Sequence, residues 1–304
     1  MSVWVRLTRT DADLERAVEI YNEVWPRYAI TTAEAASWRR EALENVELLA
    51  RVDDLAVGSA IAAVDPRHPR VCFTLIAVRP GSRRRGAGSA LYGYVEAWAG
   101  TRDVDAIETL VEEDDDESLQ FGLRRGFEET SRESGLELDV TQADARTPQP
   151  DGFGVASLAE RRDLAAGTWD VAAEAIPEIP GDEDWTPPPR ARWVDDFLLG
   201  PATPPEAVYV AFAGADVIGY AKLRLSPDGR TAVHGMTAVR RERRGRGVAT
   251  ALKRAQIAWA KSQGIERLIT ANEVRNAAMR RVNERLGYVP APGRIHLRRP
   301  LAPR

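Results

Sequence analysis

The chain of 304 residues contains one cysteine, three histidines and three methionines. A lone thiol, Cys72, excludes an internal disulfide and reads as a small buried strand residue. His68, His234 and His296 are too scattered to supply metal-ligand spacing, so no metal is expected. No apolar run is long enough to cross a bilayer, and Met1–Pro26 lacks the apolar centre of a secretory leader. The protein is therefore expected in the cytoplasm. An excess of positive charge is missing as well. The net charge is −4, which argues against broad binding to nucleic acid or to an anionic membrane. What is present, 44% hydrophobic and 29% charged residues over this length, describes an ordinary globular protein of about two domains.

The chain also says one thing twice. Arg83-Arg84-Arg85-Gly86-Ala87-Gly88 follows an apolar run and opens a helical pattern, and Arg244-Gly245-Arg246-Gly247-Val248-Ala249 does the same in the second half. At that offset Val71–Phe127 aligns without a gap onto Ala232–Tyr288. Identical pairs include Ala77/Ala238, Val78/Val239, Gly86/Gly247, Trp98/Trp259 and Gly126/Gly287, with Gly58/Gly219 upstream. Two copies of one loop imply two copies of one domain.

The pattern around each loop can be read coarsely. Thr10-Asp11-Ala12-Asp13 caps a helix ended by Pro26, and a second helix is predicted over Thr32–Asn45. Strands are predicted at Val46–Val52, Ala56–Val64, Arg70–Val78 and Asp105–Val111, with helices at Gly88–Ala99 and Ser118–Arg125. Gly135–Val140 is expected to close this domain. Thr141–Gly154, with its Pro148-Gln149-Pro150, lacks periodicity and contains the linker. The second half repeats the order. Helices are expected at Asp163–Ala175, Ala191–Leu199, Val248–Gln263 and Asn276–Leu286. Strands are expected at Ala207–Phe212, Asp216–Leu225, Thr231–Val239, Arg267–Ala271 and Ile295–Arg299. The predicted boundaries are a domain over 1–145, a linker over 146–152 and a domain over 153–304. The fold class is α+β.

A glycine-rich turn at a helix N-terminus presents several backbone N–H groups to an anion, and the helix dipole favours it. Gly86 and Gly247 allow unusual φ, Gly88 and Ala249 keep the helix start small, and the arginines add charge. The alternative is a solvated basic turn. A Walker loop is excluded because no Gly-Lys-Ser/Thr occurs, and a dinucleotide fingerprint fails for want of its third glycine.

These repeated loops, their strand–loop–helix setting and the endings Arg125-Gly126-Phe127 and Leu286-Gly287-Tyr288 resemble the GNAT superfamily of N-acetyltransferases. Length and tandem architecture are also similar to those of the mycothiol synthases, although no residue singles out that substrate. The resemblance implies two GNAT-like domains in tandem, each a mixed, mostly antiparallel sheet flanked by helices. It implies acetyl-CoA or another acyl-CoA as cosubstrate. The pyrophosphate would lie on Arg83, Arg84, Arg85, Gly86 and Gly88 in one copy, and on Arg244, Gly245, Arg246, Gly247, Val248, Ala249 and Thr250 in the other. The pantetheine arm would follow Leu75–Val78 or Met236, Thr237 and Val239, whose backbone N–H groups would hold the thioester oxygen. Asn272 and Asn276 would bond the arm. The amine attacks directly, so no enzyme nucleophile is needed.

Departures from the family matter. The tyrosine often used as general acid is replaced by Gly122 and Asn283, and the frequent strand glutamate is absent. Asn283 either bonds the sulfur or sits on a helix surface. His234 either takes a proton or packs within its strand. Glu273 is another candidate base, or an exposed loop acid. The first copy carries Glu112-Glu113-Asp114-Asp115-Asp116-Glu117 where the second has Glu273–Ala278, and acids repel a polyanion unless they point to solvent. The second domain is therefore expected to catalyse and the first to be degenerate or auxiliary. The acidic connection Ile176–Trp185, with Glu178, Asp182 and Glu183, either suits a cationic amine or is a solvated acidic loop with Trp185 as a packing anchor. The expected reaction is acetyl transfer to a small-molecule primary amine. Acylation of a protein or peptide N-terminus, and a catalytically inactive acyl-CoA-binding regulator, remain open. So does a homodimer.

Overall fold

A computed structural model describes residues 3–147, 150–178 and 187–302. In chain order the first half gives β1 (Val3–Leu7), α1 (Asp11–Val24), α2 (Thr32–Glu41), β2 (Glu44–Val52), β3 (Leu55–Val64) and β4 (Val71–Val78), then α3 (Ala87–Ala99), β5 (Ala106–Glu112), α4 (Asp116–Leu123) and β6 (Glu128–Asp139). The second gives β7 (Gly154–Ser157), α5 (Thr168–Ala175), α6 (Arg190–Trp193), β8 (Val208–Ala213), β9 (Asp216–Leu225) and β10 (Thr231–Val239), then α7 (Val248–Ser262), β11 (Arg267–Glu273), α8 (Ala277–Arg285) and β12 (Val289–Pro300).

Contacts divide the chain into two compact units, residues 1–131 with 294–304, and residues 132–293. The N-terminal sheet runs β1-β2-β3-β4-β5-β12, and the C-terminal sheet runs β7-β8-β9-β10-β11-β6. Among the described residues, the pairs β4/β5 and β10/β11 are parallel and the other pairs within each sheet antiparallel. Each is thus the mixed, mostly antiparallel sheet that was expected. The closing strands are exchanged. Arg294–Pro300 of β12 pairs with Ala106–Glu112 of β5, and Glu133–Asp139 of β6 pairs with Arg267–Glu273 of β11. Gly135–Val140 therefore does not close the first sheet, and the units do not coincide with contiguous domains over 1–145 and 153–304. The two strands hold equivalent places in the repeat. Their apolar pattern says that they pair, not with which copy.

Local chemistry explains the main helices. Thr10 and Thr31 form capping boxes with Asp13 and Glu34, each cap contributing about 1 kcal/mol. α1 turns Ile20 and Ala17 onto Leu49, Ala56 and Ala77 on one face of its sheet. α3 turns Leu91 and Val95 onto Leu48, Ala50 and Ala62 on the other. In the C-terminal unit α5 packs Val171 and Ala175 with Val210, Val217 and Ala238. α7 packs Leu252 against Ala211 and Ile218, and Ile257 against Ala232 and Leu268. Gly58 and Gly219 are equivalent small residues beneath the long helices. A Cβ on either would stand 3.1 Å from Leu91 Cδ1 or Val248 Cγ1.

Some elements differ from expectation. The helix predicted over Asp163–Ala175 opens as a 3-10 turn at Arg162–Gly167 before α5. Ala191–Leu199 is one α-helical turn followed by a π-turn over Val194–Leu198. β1 and β7 are edge strands of five and four residues, too short to show alternation in sequence. Pro148 and Gln149 of the expected linker lie outside the described residues, as does the Ile179–Trp185 part of the acidic connection.

Candidate functional site

Both units build the loop from the same bonds. Arg79 N donates to Val57 O and Arg240 N to Ile218 O, each at 3.0 Å. A 3-10 turn follows over Pro80–Ser82 or Arg241–Arg243. Gly86 (φ 90°) and Gly247 (φ 80°) then take the left-handed conformation as the N-caps of α3 and α7. No side chain caps either helix. The first N–H groups of Ala87–Ser89 and of Val248–Thr250 are thus left without a partner inside the helix, as an anion site requires. Two residues before each cap, Gly245 (φ 72°) and Arg84 (φ 62°) are also left-handed. The turn needs that conformation, and in the first copy an arginine adopts it.

The arginines are committed differently. Arg83 Nε reaches Val78 O at 3.4 Å, and Arg244 Nε reaches Val239 O at 3.0 Å. Each guanidinium thus pins the loop to the end of its strand. Arg83 also pairs with Asp115 at 3.0 Å and Glu117 at 3.3 Å, and Arg84 pairs with Glu117 at 3.0 Å. Arg84 and Arg83 lower the Glu117 pKa. Burial pushes Asp115 up, but the Ser118 N–H and hydroxyl, with Arg83, bring it below its usual value. Arg244 and Arg241 share Glu178, whose pKa Arg241 and then Arg244 lower. Glu178, expected to attract an amine, is therefore engaged by the loop. Arg85 and Arg246 are exposed.

Behind each loop the parallel strands part. β4 pairs with β5 only through Val71–Phe73, and β10 with β11 only through Thr231–Val233. In the N-terminal unit a cavity of about 370 Å³ fills this fork. Thr74, Ile76 and Val78 line one wall and Thr109–Glu112 the other. Gly86, Gly88 and Ser89 lie along it, as do Val24 and Trp25 from the end of α1. Cys72 lies on β4, fully buried, its thiol pKa pushed up to about 12 by burial. It is a packed thiol, inert as a nucleophile.

The C-terminal fork carries a feature its counterpart lacks. β10 shifts register between His234 and Thr237, whereas β4 pairs regularly with β3 throughout. Thr237 faces Ala221 as Ile76 faces Ala60, but His234 faces Leu223 as Thr74 faces Ala62. One extra residue has entered at Gly235–Met236, so the gap-free alignment is off by one on the N-terminal side of this bulge. Gly235 is exposed, Met236 and Thr237 are half-buried, and Val239 is buried. Met236 Sδ accepts from the Tyr220 hydroxyl at 2.8 Å.

The remaining expected residues form a buried polar group. His234 shares the α7-facing side of β10 with Ala232 and lies 2.5 Å from the Tyr288 hydroxyl through Nε2. Burial, and then the charge of Lys253, hold its pKa well below the usual value. Lys253 is itself 1% exposed, and burial brings its pKa down to about 7. Asn283 is fully buried on α8, not on a helix surface, and donates to Asn272 at 2.8 Å. Asn276 caps α8 by accepting from Met279 N at 3.2 Å, as Asp115 caps α4 from Ser118 N at 3.0 Å. Glu273 ends β11 paired with Arg275 at 3.0 Å. Two participants escaped the sequence reading, Lys253 and the carboxylate of Glu112 in the N-terminal cavity. The signal for Glu112 was its identity with Glu273 across the repeat.

Comparison with known proteins follows this geometry. The model of the "Acetyltransferase (GNAT) family" matches residues 14–127 and 169–288. No curated protein sequence matches significantly. Among solved structures, a tandem GNAT protein from the clavulanic acid biosynthesis pathway is similar at 19% identity, with 100% of both chains covered and a TM-score of 0.79. A GCN5-related N-acetyltransferase from Sphaerobacter thermophilus is similar at 18% identity, over 99% of this chain and 96% of that one, with a TM-score of 0.75. A GNAT-family acetyltransferase from Colwellia psychrerythraea is similar at 13% identity, over 98% and 100%, with a TM-score of 0.64.

Proposed function

The chain belongs to the GNAT acetyltransferase family, and from that premise we propose that it moves the acetyl group of acetyl-CoA onto a small-molecule primary amine by direct attack in a ternary complex. The observation that carries this reading is the β10 bulge at the mouth of the C-terminal fork. A bulge leaves an unpaired residue in the ladder and turns its backbone out of register. Beside an uncapped helix N-terminus, such backbone is suited to hold a thioester carbonyl and the oxyanion that develops on it.

The chemistry asks little else of the protein. A neutral amine attacks the carbonyl carbon, the C–N bond forms, and the C–S bond breaks. The one proton the nitrogen loses goes through a base to solvent, solvent returns one to the departing thiolate, and the other N–H proton stays on the amide. Glu273, at the end of β11, or water ordered by it, is the base in this reading. Half-buried Asn272, oriented by the buried Asn283 amide, holds the cofactor arm. The N–H groups at the start of α7, with Arg246, hold the pyrophosphate, while Arg244 fixes the loop. His234 shapes the fork from behind. Small amines with both apolar and cationic parts are the first acceptors to try. In this reading the enzyme works in the cytoplasm.

Release of CoA thiol from acetyl-CoA, followed across a panel of primary amines, tests the reading. Turnover with at least one amine, and kinetics in which both substrates bind before any product leaves, are expected. Ping-pong kinetics or an isolated acyl-enzyme would sink the direct-attack mechanism. Stoichiometric acetyl-CoA binding without turnover on any amine would identify a binding protein instead.

A further inference from the structure

We propose that the N-terminal unit is a second acyl-transfer centre, in which the Glu112 carboxylate takes the proton from a primary ammonium acceptor lodged in the cavity beside Trp25. The inference rests on the family chemistry proposed above and adds a second site to it.

Glu112 is the last residue of β5 and part of the fork wall. Its Oε1 is buried and has no hydrogen-bond partner among the described residues. Two of its acidic neighbours are used otherwise. Asp115 caps α4 and pairs with Arg83, and Glu117 pairs with Arg83 and Arg84. Folding gains nothing from an orphaned carboxylate oxygen in a cavity, whereas an ammonium ligand would satisfy it. The equivalent Glu273 is already paired with Arg275. Burial, and then Asp114, raise the Glu112 pKa, with Arg27 and Arg294 pulling the other way and Asp115 adding to the rise. A raised carboxylate is a better base near neutral pH. Val24 and Trp25 line the same cavity, and Trp25 is fixed by stacking on Tyr21 and by an edge contact with Tyr28. This apolar surface suits an amine with a hydrocarbon or aromatic body.

The step balances without a further reactant. Glu112 takes one proton from the ammonium. The freed lone pair forms the C–N bond with the thioester carbon, and the C–S bond breaks. A second nitrogen proton goes to the thiolate, the third stays on the amide, and Glu112 returns its proton to solvent.

The test uses the full chain with the C-terminal loop disabled by Gly247→Asp. In that background a measurable part of acetyl-CoA-dependent turnover should remain, with its own preference among the amines. Adding Glu112→Gln should lower the remaining kcat about 10²-fold, the lower end for a positioned base. The KM for acetyl-CoA should barely move, and the melting temperature should be kept. Glu112→Asp, a shorter base, should fall between the two. The remaining kcat/KM should decline as pH drops through the Glu112 pKa, and Glu112→Gln should lose that limb. If Gly247→Asp removes all turnover from an active wild type, the second centre is overturned while the proposed function stands. Unchanged residual turnover in a folded Glu112→Gln protein, or a Glu112→Asp protein no better than Glu112→Gln, overturns the role of Glu112. A wild type that turns over no amine overturns both.

Discussion

In the N-terminal unit the loop arginines fold back onto Asp115 and Glu117, at the start of the helix after β5. In the C-terminal unit Asn276 replaces Asp115 as the cap, and Arg244 turns instead to Glu178, before the loop in sequence. The turn itself is unchanged. Both units keep two left-handed residues at the same places and an uncapped helix behind them. Arginine partners can thus be exchanged while main-chain geometry is held, as expected where N–H groups are the main anion ligands. Behind the turns the units diverge again. Tyr92, Val95, Gly122 and Phe127 correspond to Lys253, Gln256, Asn283 and Tyr288, so the C-terminal unit buries an amine and two amides where the N-terminal unit has a tyrosine bonded to Arg299, a valine and a glycine.

The largest expected effect breaks the functional symmetry. Gly247→Asp forces a side chain into a left-handed position and sets a carboxylate at the α7 N-terminus, where the proposed pyrophosphate would bind. Turnover at a fixed acetyl-CoA concentration should fall on the order of 10²-fold, the scale of losing two hydrogen bonds of about 1.5 kcal/mol each to a charged pyrophosphate. Gly86→Asp should leave most of it. Steady-state CoA release by each variant decides the matter, and a more severe loss in Gly86→Asp would show that the roles of the units are reversed.

A second test separates the polar surround from the apolar one. Lys253 is buried, with a pKa brought down from 10.5 to about 7. Between those values the unfolded chain binds the proton and the folded chain does not, so folding stability rises with pH across that window and is lowest below it. At about 1.4 kcal/mol per unit, the shift corresponds to a few kcal/mol. Lys253→Met removes the titrating group and should flatten this part of the curve. Denaturant unfolding of wild type and variant between pH 6.5 and 10 measures it, in steps of roughly half a unit. Parallel curves would mean that Lys253 keeps its proton in the fold.

Legibility in the sequence tracked what each residue has to do alone. The loops could be found because left-handed positions select glycine, and two copies made the selection visible. The mixed sheets followed from the family resemblance that the loops carry, whereas the forks emerged only from the strand pairing. The strand exchange was invisible because β6 and β12 are equivalent in pattern, so either could close either sheet. The bulge was hidden because an alignment without a gap still matches every residue from Ala77 onward, where the identities lie. Glu112 stood among six consecutive acids, and only burial distinguishes it from its neighbours. Arg84 gave no sign of its positive φ, since the sequence there reads as a plain basic run.

That strained arginine gives a smaller test. Arg84→Gly relieves a left-handed non-glycine residue, worth about 1 kcal/mol, and removes only an exposed ion pair with Glu117. The N-terminal unit should gain about that much. The reciprocal Gly245→Arg should cost a similar amount in the C-terminal unit, and equal melting temperatures for both would remove strain from the account of the loop.

The smallest expected effect concerns His234. Its position beside the fork invites a role as base, and its depressed pKa keeps it neutral at pH 7. Neutrality alone does not exclude proton transfer. Its surroundings argue against it, because the ring faces α7 with its Nε2 on the Tyr288 hydroxyl, and it is only 7% exposed. A base must come within about 3 Å of the proton it removes, directly or through one water. His234→Gln keeps a hydrogen-bonding group while removing basicity. If the imidazole is packing, kcat should change by less than about threefold, against about 10²-fold for a positioned base. Stability should fall by about 1 kcal/mol from the lost fit to Tyr288. Because both numbers come from one variant, activity and stability can be separated. Measuring kcat well below the melting temperature keeps a stability loss from mimicking a catalytic one. A loss near 10²-fold at full folding would move the base from Glu273 to His234. It would also make the buried group of Lys253, Gln256 and Asn283 a proton path, for which Val95 and Gly122 at the equivalent N-terminal positions offer no counterpart.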